Sequence, residues 1–381
     1  MKKVAIIGAG ISGLFIANLF KKSPNYQISI YEKNTSIPLN EGYGVQLSVN
    51  SVKLLNQIGF QNLQSNQKFN PDKINFYSNT SLDKICELDI STFNLEDCKY
   101  TTLKRSSLIK FLTTDLNDLI KTDYNISKID QQNNQIKLYF GNNKIIDCDL
   151  LIISDGIFSK SKNLILKKQI NPKYNDTLAI RGMITKSHKI IDNKNISLFL
   201  GSNFHQVIYP VNSTGDLNFI AIMKYQLSEK ELKNYSLFSD NLFVKKVFEK
   251  IPLENKDLLA DLKELKIFPV FVSDNFFKLQ NDNIHFIGDA FFAFPPSFAQ
   301  GASQSIESAY ELFKSIENNN KNNFFKNRLT KTKMVNIRSK FNQFTFHLSN
   351  PLNIFIRNFF LKRLIKNKKF LDTYLGKIYK N

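Results

Sequence analysis

The first thirty residues alternate between apolar runs and short polar breaks. Val4-Ala5-Ile6-Ile7 is a run rich in β-branched residues, typical of a buried parallel strand. After six glycine-rich residues, apolar side chains continue through residues 14–20 in a helical pattern, and residues 27–31 form a second strand-like run. This order predicts a strand, a helix and a second strand, the βαβ unit of a parallel sheet.

The turn between the first strand and the helix reads Gly8-Ala9-Gly10-Ile11-Ser12-Gly13. Gly8 permits a tight turn, Gly10 lets the backbone approach a pyrophosphate, and Gly13 lets helix and strand pack closely. An anion there would lie on the helix N-terminus, where free N–H groups and the helix dipole favour it. Glu32 follows about twenty residues later, where a carboxylate can accept ribose hydroxyls. The pattern predicts dinucleotide binding.

Two later strands end in acidic turns. Residues 149–156 read Asp-Leu-Leu-Ile-Ile-Ser-Asp-Gly, and residues 283–290 read Asn-Ile-His-Phe-Ile-Gly-Asp-Ala. Residues 295–303 follow at once and open a predicted helix. Because doubly wound sheets bind ligands at the carboxyl ends of their strands, ligand contacts are predicted at Asp155 and Asp289.

The middle of the chain has strand-like patterning. Residues 178–185, 204–211 and 217–224 predict a β-sheet with short connections. His205 and Tyr209 are four residues apart on one of these strands, so we expect them on the same face. They could line a pocket, or they could be the polar tips of a half-buried sheet.

The end of the chain is predicted to be helical and basic. A polar joint at residues 318–323 precedes predicted helices over residues 324–349 and 352–371. In the last helix, apolar and basic residues alternate: Phe355, Ile356, Phe359, Phe360 and Leu364 with Arg357, Lys362, Arg363, Lys366, Lys368 and Lys369. This pattern fits peripheral contact with an anionic membrane surface. It also fits a terminal helix docked on the nucleotide-binding domain with its lysines in water.

Composition excludes several classes of protein. The net charge is +19, but only six of the 52 basic residues are arginine, so nucleic-acid binding is not expected. The three cysteines and four histidines are isolated, so neither a metal site nor a disulfide framework is expected, and a reducing cytoplasm is the simpler compartment. The apolar N-terminal run contains three glycines and lacks a cleavage site, so a secretory signal is not expected.

Further segments complete an ordered series of motifs. Residues 42–50 are similar to a flavin-side loop, residues 103–108 to an Arg-x-x-Leu segment, and residues 300–302 to a helix entry. Together with the glycine-rich turn, Asp155-Gly156 and Gly288-Asp289, they resemble the class A flavoprotein aromatic hydroxylases. These are the single-component FAD monooxygenases that include salicylate and 3-hydroxybenzoate hydroxylases. The resemblance covers most of the chain.

The resemblance implies an α/β fold: a Rossmann-like FAD-binding domain of the glutathione-reductase type, an inserted β-sheet substrate domain, and C-terminal helices. The FAD-binding domain is expected over residues 1–72, 100–172 and 268–318, the substrate domain over 73–99 and 173–267, and the C-terminal helical segment over 319–381.

The resemblance also implies roles for residues around FAD. Arg105 is expected to contact the phosphates or the ribityl chain of FAD. Asp289 is expected to hydrogen-bond the ribityl hydroxyls. Asp155 is expected to lie where FAD and the nicotinamide cofactor meet. The helix that begins near Gly301 would point its N-terminus at the flavin and stabilise its anionic reduced form. The expected cofactor-binding residues are Gly8, Gly10, Ser12, Gly13, Glu32, Lys33, Gly44, Val45, Arg105, Asp155, Gly156, Asp289, Pro296, Gly301 and Ala302.

The substrate side is less defined. Arg181-Gly182 is similar to an Arg-Gly pair that recurs on a substrate-domain strand of the family, and Arg181, His205 and Tyr209 are the candidate catalytic residues. Where the family often reads Gly-Asp-Ala-x-His-Pro, this chain has Phe292 and Ala293 in place of histidine and proline. Because Asp289 is retained, this departure bears on the substrate rather than on FAD.

The implied activity is hydroxylation of an aromatic (phenolic) or similarly electron-rich small molecule with O₂ and NADH or NADPH. Oxygen transfer would pass through a flavin C4a-hydroperoxide, with residues 42–46 as the expected mobile loop. Two alternatives stay open. A ubiquinone-pathway hydroxylase would act on a prenylated phenol, peripheral to the inner membrane, and the basic tail favours it. The remote alternative is a protein that binds FAD without turnover. The sequence does not indicate the oligomeric state.

Overall fold

The computed structural model describes residues 1–37, 39, 43–132, 135–184, 191–251, 261–279 and 281–379. Gly42 of the predicted flavin-side loop and Thr185 of the predicted strand 178–185 lie outside these residues.

A strand, a helix and a second strand parallel to the first follow one another over residues 2–31, as the βαβ pattern predicts. The strands are β1 (Lys2–Ile7), β2 (Tyr26–Tyr31), β3 (Gly44–Leu47), β4 (Lys73–Ser78), β5 (Lys84–Asp89), β6 (Thr101–Lys104), β7 (Ile120–Lys121), β8 (Ile126–Gln132), β9 (Gln135–Phe140), β10 (Ile145–Cys148), β11 (Leu150–Ile153), β12 (Lys173–Ile184), β13 (Ile196–Gly201), β14 (Phe204–Pro210), β15 (Leu217–Lys224), β16 (Leu262–Val272) and β17 (Ile284–Phe286). The helices are α1 (Ile11–Lys21), α2 (Val49–Asn56), α3 (Arg105–Thr113), α4 (Lys160–Leu166), α5 (Glu229–Lys233), α6 (Asn241–Glu249), α7 (Gly301–Glu317), α8 (Lys321–Phe346), α9 (Pro351–Leu364), α10 (Lys368–Leu371) and α11 (Lys377–Tyr379).

A parallel sheet in the order β17-β11-β1-β2-β7 forms the centre of the nucleotide-binding part. Successive side chains of a strand point to opposite faces, and β1 shows this clearly. Val4 and Ile6 belong to the apolar core that contains α1 and α7, whereas Ala5 and Ile7 belong to the core shared with the antiparallel sheet β10-β9-β8. The apolar run at the start of the sequence is therefore a strand buried on both faces.

A second, larger sheet has the order β16-β12-β15-β14-β13-β4-β5. It contains the three strands predicted in the middle of the chain, and β4 joins it by parallel pairing with β13. Strand β16 runs through the predicted boundary between residues 267 and 268. The domain boundaries themselves stay a prediction.

A two-stranded ribbon of β3 and β6 lies between the two large sheets. Residues 44–46 were expected in a mobile loop, and in the structure they form β3, paired antiparallel with Thr102–Lys104 of β6. The pairing is long-range in sequence, so the four-residue strand has no local signal.

The C-terminal helices differ from the prediction at one point. The predicted helix over residues 352–371 is divided into α9 and α10, because the Asn367 side chain accepts a hydrogen bond from the Phe370 N–H at 3.0 Å and caps a new helix there. Helix α9 packs against β5 of the seven-stranded sheet rather than on the parallel sheet. None of the helices in the described residues combines the length and hydropathy that crossing a bilayer requires.

Candidate cofactor and substrate site

The glycine-rich turn after β1 has the geometry that its sequence predicts. Gly8 has a φ of +100°, and a Cβ on Gly8 would lie 2.6 Å from the Ser154 carbonyl oxygen. A Cβ on Gly13 would lie 2.1 Å from the Gly8 carbonyl oxygen, so α1 can approach the turn only without a side chain there. A Cβ on Gly10 would meet nothing within 4 Å. The two outer glycines shape the turn, and the middle one leaves open space.

Glu32 follows β2 and closes this turn from the other side. Its two carboxylate oxygens accept the N–H groups of Ala9 and Asn34, each at 3.0 Å. A carboxylate has about four acceptor positions, so both oxygens can still accept ribose hydroxyls. Lys33 comes next and is exposed.

The turn Gly288-Asp289 lies against the start of α1. Gly288 has a φ of +58°, and a Cβ there would lie 2.5 Å from the Oγ of the buried Ser12. Ser12 therefore contacts the second acidic turn, and these two distant motifs form one wall of the site.

The turn after β11 presents an acidic side chain with one open acceptor. Asp155 Oδ2 accepts the Ser161 N–H at 3.1 Å, whereas its Oδ1 is buried and has no hydrogen-bond partner among the described residues. Gly156 has a φ of +81°, and a Cβ there would meet nothing within 4 Å. Buried acceptors are normally satisfied, so Asp155 Oδ1 indicates a place for a hydrogen-bond donor from a ligand.

A cavity of about 1090 Å³ extends from Asp289 of the second acidic turn to the seven-stranded sheet. One end is lined by residues of the predicted flavin motifs, and the other by the sheet and by the C-terminal helices. The predicted site residues that line it are Gly44, Val45, Arg105, Arg181, His205, Tyr209, Asp289, Pro296, Gly301 and Ala302.

Asp289 has accessible surface, but it lines this cavity, and the surrounding protein desolvates its carboxylate. This desolvation raises the pKa of Asp289 to about 6, although the positive charges of Arg105 and Lys162 oppose the shift. Lys162 is 5 % exposed, and burial lowers its own pKa while Asp155 and Asp289 raise it. The two acidic turns therefore share one buried cation.

We expect Asp289→Asn to remove a pH dependence of stability from the flavin-free protein. The pKa of Asp289 is 3.8, its ordinary value, in the unfolded chain and about 6 in the folded protein. Between pH 3.8 and pH 6, the Asp289 carboxyl group therefore holds its proton more tightly in the folded protein. The contribution of Asp289 to stability therefore falls as the pH rises through this interval. As the pH rises from 4 to 7.5, the thermal midpoint of the variant should increase relative to that of the wild type. If the two curves of midpoint against pH ran parallel, the raised pKa of Asp289 would be contradicted.

Arg105 is the first residue of α3, and its position depends on the ribbon. Its N–H donates to the Tyr43 carbonyl oxygen at 2.7 Å, directly before β3. Val45 pairs with Leu103 in the ribbon, and the Gly44 N–H donates to Asn218 Oδ1 of β15 at 2.6 Å. The ribbon thus connects Arg105 to the seven-stranded sheet.

Helix α7 begins at the cavity with a backbone turn. The Ala299 N–H donates to the Pro296 carbonyl oxygen at 2.9 Å, and Ala299 has a φ of +51°. A Cβ on Gly301 would meet nothing within 4 Å, and Ala302 is partly buried. The first turn of α7 therefore has free N–H groups next to open space, an arrangement that suits a partial negative charge.

On the sheet side, Arg181 and Tyr209 are close to β3. The Arg181 guanidinium carbon lies 5.9 Å from the ring centres of both Tyr43 and Phe268. Burial raises the pKa of Tyr209, and the charge of Arg181 and a hydrogen bond with Gln46 oppose the shift. Tyr209 therefore stays protonated, and its phenol can act as a hydrogen-bond donor.

His205 lies on the same strand as Tyr209 and also lines the cavity. It is 2 % exposed, and its Nδ1 is 2.8 Å from Nε2 of His347, just beyond the end of α8. Burial, followed by the charge of His347, lowers the pKa of His205 well below its usual value. A neutral histidine held by a second histidine joins the sheet to α8, and no geometry marks it as a general base.

The departure at Phe292 has a structural explanation. Phe292 is buried and stacks on Phe276, with ring centres 4.1 Å apart, whereas Ala293 lines the cavity. The side chain that replaces the family's histidine therefore packs in the core of the parallel sheet, away from the cavity.

These residues fit FAD. The open space at Gly10, Gly156 and Gly301 allows a ligand to approach the backbone, and Asp155 Oδ1 offers a buried acceptor. Two basic residues, Arg105 and Lys162, supply the positive charge that a pyrophosphate or a reduced flavin requires.

Sequence reasoning missed three residues that shape this site. Ser154 donates to the carbonyl oxygens of Ile7 and Gly8 at 2.9 and 3.0 Å and joins β11 to the glycine turn. Its position directly before Asp155 was an available signal. Lys162 and Asn218 had no sequence signal, because their partners are distant in sequence. Gln46 lies in the predicted flavin-side loop, but its hydrogen bond with Tyr209 was not predicted.

The comparison with protein families decides the classification. A family model described as "FAD binding domain" matches residues 1–321, most of the chain. The chain belongs to the FAD-binding domain family. Its cofactor is FAD.

Several relatives carry the names of monooxygenases or hydroxylases of aromatic compounds. The chain is 21 % identical to 6-hydroxynicotinate 3-monooxygenase of Bordetella bronchiseptica, covering 83 % of this chain and 82 % of that protein. It is 23 % identical to a salicylate hydroxylase of Pseudomonas putida, covering 81 % of this chain and 75 % of that protein.

Solved structures agree in fold. HpxO of Klebsiella pneumoniae complexed with FAD and uric acid has a TM-score of 0.80 at 16 % identity, with 98 % of this chain and 97 % of that chain covered. A salicylate hydroxylase substrate complex has a TM-score of 0.76 at 18 % identity, with coverages of 100 % and 95 %. The predicted α/β FAD-binding fold and the resemblance to class A FAD monooxygenases are confirmed, and the protein is an FAD-dependent monooxygenase.

Proposed function

We propose that this FAD-dependent monooxygenase hydroxylates an aromatic, electron-rich small molecule bound between the flavin motifs and the seven-stranded sheet, with NADH or NADPH and O₂ as co-substrates. One observation carries the proposal: a single cavity of about 1090 Å³ is lined both by Arg105 and Asp289 and by Arg181 and Tyr209. Chemistry at the flavin end is therefore within reach of a ligand on the sheet.

FAD would be held by residues of the predicted motifs. The turn from Gly8 to Gly13 and the N-terminus of α1 would receive the pyrophosphate, Glu32 the ribose, and Asp289 with Arg105 the ribityl and phosphate groups. When bound, FAD would supply the redox chemistry that couples the oxidation of NAD(P)H to the use of O₂. The first turn of α7 would offer its N–H groups to negative charge on the reduced ring.

The substrate is positioned by a positive charge and a hydrogen-bond donor. Arg181 attracts a phenolate or a carboxylate, and the protonated Tyr209 donates a hydrogen bond to an oxygen of the substrate. Apolar side chains such as Val207, Ile220 and Ile222 line the rest of this sheet face and exclude water. Arg181 and Tyr209 are thus the proposed substrate-binding pair, and His205 is a positioning residue.

The dimensions of the cavity support a second candidate, a phenol with a large apolar substituent. Beyond the sheet, the lining continues onto the C-terminal helices through Leu361, Leu364 and Leu371. A molecule of salicylate size would leave this part unfilled, whereas an apolar substituent would fill it.

The test is a screen of phenolic, N-heteroaromatic and alkyl-substituted phenolic compounds with the purified FAD-loaded enzyme. We expect some of them to stimulate NAD(P)H oxidation and to gain one oxygen atom by mass spectrometry. For an anionic substrate, Arg181→Met should raise KM about 10- to 100-fold, since a charge-assisted contact is lost.

Lys266 provides the matched control for Arg181. It is exposed on the neighbouring strand β16, with its Nζ 6.0 Å from the centre of the same Tyr43 ring. Lys266→Met should leave KM unchanged. Equal effects of the two substitutions would indicate a general loss of charge, and a protein whose NAD(P)H oxidation responds to no compound would support the FAD-binding alternative.

A further inference from the structure

Large apolar side chains are exposed on one short stretch of the chain. Among the described residues, sixteen large hydrophobic side chains are exposed, and eight of them lie between residues 337 and 360. We call these eight the apolar face: Ile337, Phe341, Phe344, Leu352, Phe355, Ile356, Phe359 and Phe360. Their exposed fractions range from 42 to 69 %. A patch of this kind on a monomer marks an interaction surface.

Helix α9 is apolar around much of its circumference, yet none of its residues is buried. Eight of its fourteen residues are Leu, Ile or Phe. A helix with this composition is normally covered on all sides by protein or by lipid. Helix α9 contacts β5, yet its Leu352, Phe355 and Phe359 side chains remain 42 to 69 % exposed among the described residues, so this side of the helix lacks a cover.

The apolar face is continuous with the cavity. Four of its members, Phe341, Phe344, Ile356 and Phe360, both line the cavity and remain at least 42 % exposed. One mouth of the cavity therefore opens between α8 and α9, within the apolar face. Phe355 and Phe359 are among the members that do not line it.

The segment that carries the apolar face is strongly basic. Residues 321–381 contain fifteen Lys and Arg residues and a single acidic residue, Asp372. The Arg363 guanidinium lies 4.1 Å from the centre of the Phe359 ring, so charge and aromatic surface are adjacent. Basic residues that flank an exposed aromatic surface match an anionic lipid surface, where the rings enter the headgroup region and the cations contact the phosphates.

We propose that the apolar face docks on an anionic lipid bilayer, with this mouth of the cavity turned towards the membrane. The docking is peripheral and is carried by α8 and α9. If the proposed function is correct, a lipid-soluble phenol would enter the cavity from the membrane without crossing water. The surface itself is independent of the reaction and can be tested without turnover.

The experiment is sedimentation of the FAD-loaded protein with vesicles of phosphatidylcholine alone or mixed with phosphatidylglycerol. We expect the wild type to sediment with the anionic vesicles only. Phe355→Ser with Phe359→Ser should lower the partition coefficient at least about tenfold, because two aromatic rings no longer leave water. Bound FAD, measured by its visible absorbance, should be retained, since neither residue lines the cavity.

Matched controls are available on α6, which carries no part of the apolar face. Leu242 is 77 % exposed there, and Leu242→Ser should leave vesicle binding unchanged. Lys362→Glu with Lys366→Glu should weaken binding, whereas the same charge change at the exposed Lys245 and Lys246 should have a smaller effect.

Three outcomes would overturn the proposal. One is wild-type protein that stays in the supernatant with anionic vesicles. Another is binding that the double phenylalanine variant retains in full, which would indicate attraction by net charge alone. The third is a wild-type dimer that the same variant converts to a monomer, without vesicle binding, since the apolar face would then join two copies of the chain. None of these outcomes depends on whether a hydroxylation substrate has been found.

Discussion

Gly13→Ala should destabilise the protein by about 3 kcal/mol and abolish FAD binding, because overpacked backbone cannot easily move aside. A methyl group at this position would lie 2.1 Å from the Gly8 carbonyl oxygen and 2.5 Å from Ser154 Oγ. Relief requires α1 to move away from β1, which disturbs the strand at the centre of the parallel sheet. Urea unfolding of the flavin-free variant measures the loss of stability, and absorbance of the purified protein measures the loss of FAD.

Gly10→Ala is the matched control, since it makes the same chemical change three residues earlier. A Cβ there meets nothing within 4 Å, and Gly10 has a φ of −83°, which alanine adopts readily. The flavin-free variant should lose less than about 1 kcal/mol, the cost of replacing a glycine cap. It should still lose FAD, because the methyl group occupies the proposed place of the pyrophosphate. If the two variants were equally stable, the assigned packing role of Gly13 would be wrong.

The second large effect is expected at Arg328, the side chain on α8 that faces α7. It is 1 % exposed and lies 3.6 Å from Glu307 and 3.3 Å from Glu311, and it also donates to Gln304. Arg328→Met would fill similar space and leave two carboxylates without this cation. The free energy of unfolding should fall by about 3–5 kcal/mol, the usual cost of breaking a buried ion pair on one side.

The pH dependence distinguishes this mechanism from lost packing. Burial raises the pKa of Glu311, an effect that Arg328 opposes, so the variant should hold a proton on Glu311 more tightly still. The difference in the free energy of unfolding between the wild type and Arg328→Met, measured with urea, should therefore become smaller as the pH falls from 8 to 5. A difference that stays constant with pH would indicate lost packing instead.

The exposed pair Lys233–Glu229 provides a control. Lys233→Met should lower the free energy of unfolding by less than about 0.5 kcal/mol.

The parts of the fold that local patterns encode could be predicted from the sequence. The run at Val4–Ile7 is apolar on both sides because the strand is buried on both faces, and strand-like patterning located β12, β14 and β15. Strand β3 was missed because its pairing with β6 spans more than fifty residues. The division between α9 and α10 was missed because a single asparagine side chain determines it.

The candidate site also contains residues that local motifs predict and contacts that depend on residues distant in sequence. Motif residues such as Gly8, Gly13 and Asp289 could be found because their chemistry requires a fixed local spacing. The contact between His205 and His347 joins residues 142 positions apart, and the sequence contains no signal for it. The prediction that the end of the chain is helical was correct, but the packing of α9 against β5 could not be predicted because it depends on the finished tertiary structure.

The junction at Gly44 has a consequence for protein engineering. Its N–H is bound to Asn218, and a Cβ there would lie 2.8 Å from side-chain atoms of both Asn218 and Tyr209. A chimera that grafts the β-sheet of a relative onto this nucleotide-binding scaffold would therefore have to transfer Gly44, Tyr209 and Asn218 as one set. Recombination breakpoints placed between these three residues would combine side chains that clash or lose their hydrogen bond at Gly44.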